Sequence, residues 1–75
     1  MKIEILGFGC QKCEQLEANV RKALEETKKK AEIVKIRDIN KIIDYGVIAT
    51  PAIVIDGKLK AFGRVPEVEE IKKWL

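Results

Sequence analysis

The sequence contains no histidine and no serine, and it has only two cysteines. A Ser-His-Asp triad, a Cys-His nucleophilic pair and any histidine-based metal site are therefore excluded within its 75 residues. Any chemistry must use thiols, carboxylates, amines, the single tyrosine or the backbone.

Aromatic residues are scarce, at 5% of the chain, so a surface for stacking nucleic-acid bases is poorly supported. The 15 basic and 12 acidic side chains are largely interspersed, and the net charge is only +3. The one run of like charge, at residues 28–30, is typical of a solvated helix end, where cations favour the helix dipole. We therefore expect no nucleic-acid partner.

Long hydrophobic runs are also missing. The longest mostly apolar stretch, residues 47–55, contains Thr50 and Pro51 and is too short to span a bilayer. The apolar stretch at the start is interrupted by Glu4 and is too short for a signal peptide. We expect a cytoplasmic protein without membrane contact, and the length predicts a single domain over residues 1–75.

The hydrophobic pattern predicts the element order β-α-β-α-β-β-α. Strands are expected at residues 2–6, 32–37, 52–55 and 58–62, with the Asp56-Gly57 pair turning the last two into a hairpin. Helical spacing is present from residue 11 to about 29 and again around residues 39–43, where Asp38 or Asn40 lies near the start and Gly46 near the end. A last helix is expected to begin at Pro66. This order predicts an α/β fold with a mixed four-stranded sheet flanked by three helices.

Both cysteines lie in the segment Cys10-Gln11-Lys12-Cys13, where the first strand gives way to the first helix. The preceding Gly7-Phe8-Gly9 is turn-prone, and its glycines tolerate unusual backbone angles. Unpaired N–H groups and the positive end of the helix dipole stabilise a thiolate at a helix start. We expect Cys10 to be the exposed attacking sulfur, with Lys12 as a nearby cation that favours its thiolate. Cys13, on the apolar face of the helix, would be the sheltered resolving sulfur.

Three other interpretations of the cysteine pair stay open at this point. A structural disulfide is disfavoured in a cytoplasmic protein and would close only a small loop. Zinc would need four ligands, but two-coordinate binding of Cu(I), as in a metallochaperone, is compatible with two thiols. The thiols could also be incidental to a binding module. Redox chemistry is the interpretation that the position of the pair favours.

The second signal is Thr50-Pro51 at the start of a buried strand, where a proline supplies no hydrogen-bond donor to the sheet. The position is explained if the peptide bond is cis and the turn faces a functional site. Together with a Cys-x-x-Cys segment at an earlier strand–helix junction, this favours a cis-proline at residue 51.

These features together resemble the thioredoxin and glutaredoxin superfamily. The opening KIEILGFGCQKC and the length look most like the small redox-active disulfide proteins of archaea and bacteria within it. The resemblance implies a thioredoxin-like fold and protein thiol–disulfide exchange. It implies that Cys10 is the nucleophile, Cys13 the resolving thiol and Pro51 a cis-proline, with the backbone of Thr50 pairing with the substrate.

The sequence departs from thioredoxins at two places. Gly9 replaces the tryptophan before the first cysteine, and Gln-Lys lies between the cysteines where thioredoxin has Gly-Pro. No nucleotide-binding loop or flavin fingerprint is present, so we expect no cofactor. The expected partners are proteins that contain a disulfide and a separate reductase.

Glu4 lies six residues before Cys10, where thioredoxins have a buried acid that assists the resolving cysteine. In that role its carboxylate would accept the proton of Cys13. Strand alternation, however, predicts that Ile3 and Ile5 pack inward and that Glu4 faces solvent. The sequence favours the solvent-facing position and keeps Glu4, with Lys12, as a candidate for tuning a thiol pKa.

Overall fold

The computed structural model describes residues 1–9 and 11–75. Within them, the strands and helices follow one another in the predicted order. The strands are β1 (Lys2–Leu6), β2 (Glu32–Ile36), β3 (Ala52–Ile55) and β4 (Lys58–Phe62), and the helices are α1 (Gln11–Thr27), α2 (Ile39–Asp44) and α3 (Val68–Trp74). The predicted α/β fold of thioredoxin type is confirmed.

The four strands form one mixed sheet in the order β2-β1-β3-β4. The strands β1 and β2 are parallel, as expected when a helix connects them, whereas β1/β3 and β3/β4 are antiparallel. The two central strands, β1 and β3, therefore lie side by side, and Leu6 at the end of β1 pairs with Ala52 at the start of β3. This register brings the segment after β1 next to the segment before β3.

Helices cover the sheet on both faces. Ile3 and Ile5 of β1 pack with α1 and α3, in a core that also contains Leu16 and Ile71. On the opposite face, Leu6 packs with a smaller cluster from α2 and the neighbouring segments, namely Ile42, Val47, Ala52 and Val54. Since successive side chains of a strand point to opposite faces, both faces of β1 are buried.

The ends of α2 follow from local chemistry. The Asp38 carboxylate caps the helix by accepting a hydrogen bond from the backbone N–H of Asn40, at 2.9 Å. At the other end Gly46, with a φ of 77°, donates its N–H to the carbonyl of Ile43. Both ends agree with the sequence prediction.

The start of α3 differs from the prediction. The helix begins at Val68 with Glu67 as its N-cap, two residues later than the predicted start at Pro66. Pro66 is buried, and its carbonyl accepts a hydrogen bond from the side-chain amide of Asn19 on α1, at 2.9 Å. A contact between α1 and the segment before α3 thus holds Pro66 outside the helix. The longest helix of the described residues, α1, has 17 residues, and neither it nor the others described could cross a bilayer.

Candidate active site

Cys13 lies in the first turn of α1, which begins at Gln11. Its side chain is buried, with 7% of its surface exposed, on the same helical face as Leu16 and Val20. The first turn of a helix has backbone N–H groups without helical acceptors, so it favours negative charge nearby. Cys10, the predicted nucleophile, lies outside the described residues.

The sulfur of Cys13 packs against Gly7, the first residue after β1. A Cβ atom built on Gly7 would overlap the Cys13 Sγ and would lie 3.6 Å from the Cys13 Cβ and 3.9 Å from the Pro51 Cα. The register of β1 with β3 explains this meeting, because Gly7 and Pro51 directly flank the paired residues of the two strands. The structure therefore brings Cys13 and Pro51 together around one glycine.

The Thr50–Pro51 peptide bond is cis, and Pro51 is buried. The carbonyl of Pro51 accepts a hydrogen bond from the N–H of Gly63, at 2.9 Å, which ties this turn to the end of β4. Thr50 is half-buried, and within residues 1–9 and 11–75 its backbone makes no hydrogen bond.

A small cleft beside Cys13 is lined by charged residues of α1 and of β2 and its extension, which sequence analysis missed. The lining residues are Ile5, Gly7, Gly9, Cys13, Glu14, Glu17, Lys35 and Arg37. Lys35 in β2 and Arg37, one residue beyond its end, are two residues apart, the spacing that places side chains of an extended chain on one face. That spacing was the signal available in the sequence. The Arg37 guanidinium lies so close to Gly9 that a Cβ built there would be 3.1 Å from its Nη2.

Glu17 is the least exposed member of an ion-pair network in this cleft. One carboxylate oxygen lies 2.7 Å from the Lys35 Nζ and the other 2.8 Å from the Arg21 Nη2. Hydrogen bonds, first from Lys35 and then from Arg21, hold the pKa of Glu17 below its usual range. Glu17 therefore remains ionised beside Cys13 and joins α1 to β2.

The position of Glu4 corrects the sequence prediction. Ile3 and Ile5 pack inward as predicted, but Glu4 is also buried, with 8% of its surface exposed, because α2 covers the second face of the sheet. Its carboxylate accepts a hydrogen bond from the Tyr45 hydroxyl at 2.8 Å. Glu4 thus lies on the α2 face, whereas Cys13 belongs to the helix that covers the other face.

The surface near the site is partly apolar. Phe8, two residues before Cys10, is 55% exposed, and Ile48, three residues before Pro51, is 89% exposed. Lys12 is exposed on the first turn of α1. Among residues 1–9 and 11–75, no group of three or more carboxylate, thiol or imidazole side chains could hold a metal ion.

Comparison with known proteins assigns a family to this arrangement. A family model described as a thioredoxin domain matches residues 1–75. A thioredoxin of Methanothermobacter thermautotrophicus is 47% identical over 75 residues, which are 100% of this chain and 97% of that protein. A thioredoxin of Methanocaldococcus jannaschii is 47% identical over 73 residues, which are 97% of this chain and 84% of that protein. These comparisons give no support to the copper-binding alternative.

Proposed function

The chain belongs to the thioredoxin family of thiol–disulfide oxidoreductases, as its residues predicted, and we propose that residues 1–75 form one domain that reduces the disulfides of partner proteins through Cys10 and Cys13. The observation that carries the proposal is the burial of the Cys13 sulfur at the start of α1, against Gly7 and beside Pro51.

In the first step, the Cys10 thiolate attacks one sulfur of the partner's disulfide. The partner's S–S bond breaks, a mixed disulfide forms between Cys10 and the partner, and the partner's other sulfur leaves as a thiolate. The start of α1 supports this role for Cys10, because a helix N-terminus stabilises a thiolate in sequence positions next to it. Lys12, exposed on the same turn, adds a positive charge.

In the second step, Cys13 loses its proton and attacks the sulfur of Cys10. The Cys10–Cys13 disulfide forms, the bond between Cys10 and the partner breaks, and the partner's second sulfur leaves as a thiolate. Two electrons have then passed from the enzyme to the partner. The burial of Cys13 supports this order. A sheltered thiol is shielded from a large partner in solution, whereas Cys10 can bring the mixed disulfide to it.

The turn before β3 supports binding of an extended partner segment. The Thr50 backbone has no hydrogen bond within the described residues, so its N–H and C=O could pair with a partner strand. Exposed Phe8 and Ile48 give this region an apolar surface on which the partner's side chains would pack. The Glu4 carboxylate contacts Tyr45 on the α2 face, which argues against Glu4 as the proton acceptor for Cys13.

After each cycle the oxidised pair must be reduced by a separate disulfide reductase, because the chain has no nucleotide or flavin fingerprint of its own. We place the protein in the cytoplasm, where dithiols are kept reduced. The reduction potential of the Cys10/Cys13 pair decides the direction of electron flow. A value near −270 mV fits a reductase, and a value near −120 mV fits an oxidant, both figures being about what such proteins have.

The proposal is tested by replacing Cys13 with alanine and offering insulin as a protein with disulfides. The Cys13→Ala variant cannot complete the second step, so we expect it to accumulate a covalent complex with insulin that a reductant dissolves. The wild-type protein should reduce insulin without accumulating the complex. Mass spectrometry of the non-reduced mixture measures the covalent complex and the reduced insulin.

The matched control is Cys10→Ala, which keeps one thiol but should form no complex. If Cys13→Ala forms none either, while the variant is folded and its thiol is reduced, the thiols are incidental and the chain is a passive binding module. If Cys10→Ala is the variant that accumulates the complex, the two cysteine roles are reversed.

A further inference from the structure

We propose that Gly7 is a positioning residue for the second step of exchange, because its missing Cβ makes the space in which the Cys13 sulfur lies. This inference rests on the proposed function, in which Cys13 is the resolving thiol. It concerns a residue that the sequence marks only as part of a turn.

The backbone at Gly7 does not itself require glycine. Of the glycines, those with positive φ are Gly9, Gly46, Gly57 and Gly63, whereas Gly7 has an ordinary φ that any residue can adopt. Gly7 also continues the sheet, since its N–H donates to the carbonyl of Ile36 at 3.0 Å. The reason for glycine at this position must therefore be space.

The space at Gly7 is filled by a sulfur atom. A Cβ built on Gly7 would overlap the Cys13 Sγ, while the Pro51 Cα lies at an ordinary 3.9 Å. The overlap is thus with the thiol that reacts.

Neither backbone can easily move away to make room for a methyl group. Gly7 is buried and hydrogen-bonded to the end of β2, next to the central strands. Cys13 is held by α1, whose next inward residue, Leu16, is completely buried in the core. A methyl group at residue 7 would therefore act on the Cys13 side chain and force its sulfur out of the observed rotamer.

A displaced sulfur would affect the second step far more than the first. Resolution requires the Cys13 sulfur to reach Cys10 within the narrow geometry of a disulfide, whereas the first attack uses Cys10 alone. A misplacement of about 1 Å can slow a reaction by about a hundredfold. We expect Gly7→Ala to slow resolution at least about tenfold and to leave the first attack within about twofold of wild type.

The two steps can be separated with dithiobis-nitrobenzoate, a chromogenic aromatic disulfide. When the reduced protein is in excess, attack by Cys10 releases the first coloured thiolate and attack by Cys13 releases the second. Stopped-flow absorbance therefore gives one rate for each step. In Gly7→Ala we expect a normal first release and a delayed second release, with the mixed disulfide visible by mass spectrometry.

The matched control is Gly57→Ala at the hairpin, where a built Cβ meets no atom of residues 1–9 and 11–75 within 4 Å, its chain neighbours aside. That variant also loses backbone freedom and stability, but both of its release rates should equal those of wild type. Equal slowing in Gly57→Ala and Gly7→Ala would assign the effect to general destabilisation and overturn the proposal. Unchanged rates in Gly7→Ala would overturn it as well.

A second comparison covers the case in which Gly7→Ala folds poorly. In the Cys13→Ala background the sulfur is absent, so adding Gly7→Ala should cost much less stability than it does with Cys13 present. An equal cost in both backgrounds would show that the methyl group clashes elsewhere, against the proposal. Failure of the proposed function itself looks different: the wild-type protein would release only one thiolate.

Discussion

At the scale of single residues, the contact between Tyr45 and Glu4 gives a buried carboxylate a hydrogen-bond partner. The buried Glu4 carboxylate needs a donor, because burying it without one would be unfavourable, and the Tyr45 hydroxyl supplies it at 2.8 Å. The hydrogen bond to Glu4, followed by burial, raises the pKa of Tyr45 above its ordinary value. The pair joins β1 to the end of α2.

The Tyr45→Phe variant removes this donor and leaves the Glu4 carboxylate buried without it. We expect the free energy of unfolding at neutral pH to fall by about 1 to 2 kcal/mol, measured by urea denaturation. A pKa that folding raises contributes stability below the unfolded value and loses it as the pH rises through the folded value. The difference between wild type and Tyr45→Phe should therefore shrink above about pH 10.

The same variant tests whether this pair acts on the thiols. Because Tyr45 and Glu4 lie on the α2 face of the sheet, both release rates with dithiobis-nitrobenzoate should match wild type. A slower second release in Tyr45→Phe would instead support the role of Glu4 as an acid that assists Cys13. A stability difference that stays constant at high pH would contradict the explanation by the Tyr45–Glu4 hydrogen bond.

At the scale of elements, the β3–β4 hairpin shows how two residues determine a turn. Asp56 and Gly57 have φ angles of 49° and 82°, the pattern of a type I′ turn, which follows the right-handed twist of paired strands. Asp56 also binds the first strand, since its carboxylate accepts a hydrogen bond from the N–H of Lys2 at 2.8 Å. The turn therefore determines the β3–β4 pairing and also contacts β1.

We expect Gly57→Ala to lower the free energy of unfolding by about 1 to 2 kcal/mol, because an L-residue with a Cβ is strained at this φ. Among the described residues, and apart from its chain neighbours, nothing lies within 4 Å of the added Cβ, so the loss comes from the backbone. Urea denaturation measures it. The control Asp56→Asn keeps an acceptor for Lys2 and tolerates positive φ, so it should stay within about 0.5 kcal/mol of wild type.

For this turn, a loss of stability in Asp56→Asn as large as that in Gly57→Ala would contradict the explanation. It would mean that the charge of Asp56, rather than the backbone angles, holds the hairpin.

At the scale of the whole molecule, ion pairs connect elements that are distant in sequence. Glu17 of α1 binds Lys35 of β2, and Glu26 of α1 lies 3.1 Å from Lys72 of α3. The Glu17 side chain is only 16% exposed, so solvent screens it less than it screens most surface pairs. The first pair joins α1 to β2 beside the site, and the second joins the far end of α1 to α3.

The pKa of Glu17 is lowered by its partners, first by the hydrogen bond from Lys35, so its contribution to stability depends on pH in the acid range. A carboxylate with a lowered folded pKa contributes stability above its unfolded value, and the contribution is lost as the pH falls through the folded value. We expect the free energy of unfolding to decline below about pH 4.5. In Glu17→Gln the free energy of unfolding should be about 0.5 to 1 kcal/mol lower than in wild type at neutral pH, and it should decline less in acid. Urea denaturation from neutral pH to about pH 3 measures both effects.

The matched control is Glu70→Gln, which removes a more exposed carboxylate paired with Arg64. The pKa of Glu70 is also lowered, first by its hydrogen bond from Arg64, but solvent screens that pair more strongly. The loss at neutral pH should be smaller than in Glu17→Gln. The reverse ranking would show that burial of Glu17 does not strengthen its ion pairs.

Much of the fold and part of the site follow from the sequence because they depend on neighbours along the chain. Helical spacing predicted the amphipathic α1, the Asp56-Gly57 pair predicted the hairpin, and Asp38 and Gly46 marked the ends of α2. The two-cysteine segment at a strand–helix junction pointed to the family in the same way, because its chemistry depends on the start of a single helix.

Only the tertiary structure decided which distant segments of the chain contact each other. The burial of Glu4 depends on α2 covering a face that alternation left to solvent, and the later start of α3 depends on the contact of Asn19 with Pro66. The need for glycine at residue 7 appears only when β1, α1 and the turn before β3 meet at one sulfur. Periodicity and turn chemistry are local properties that a sequence carries, whereas these contacts depend on which distant segments the sheet places side by side.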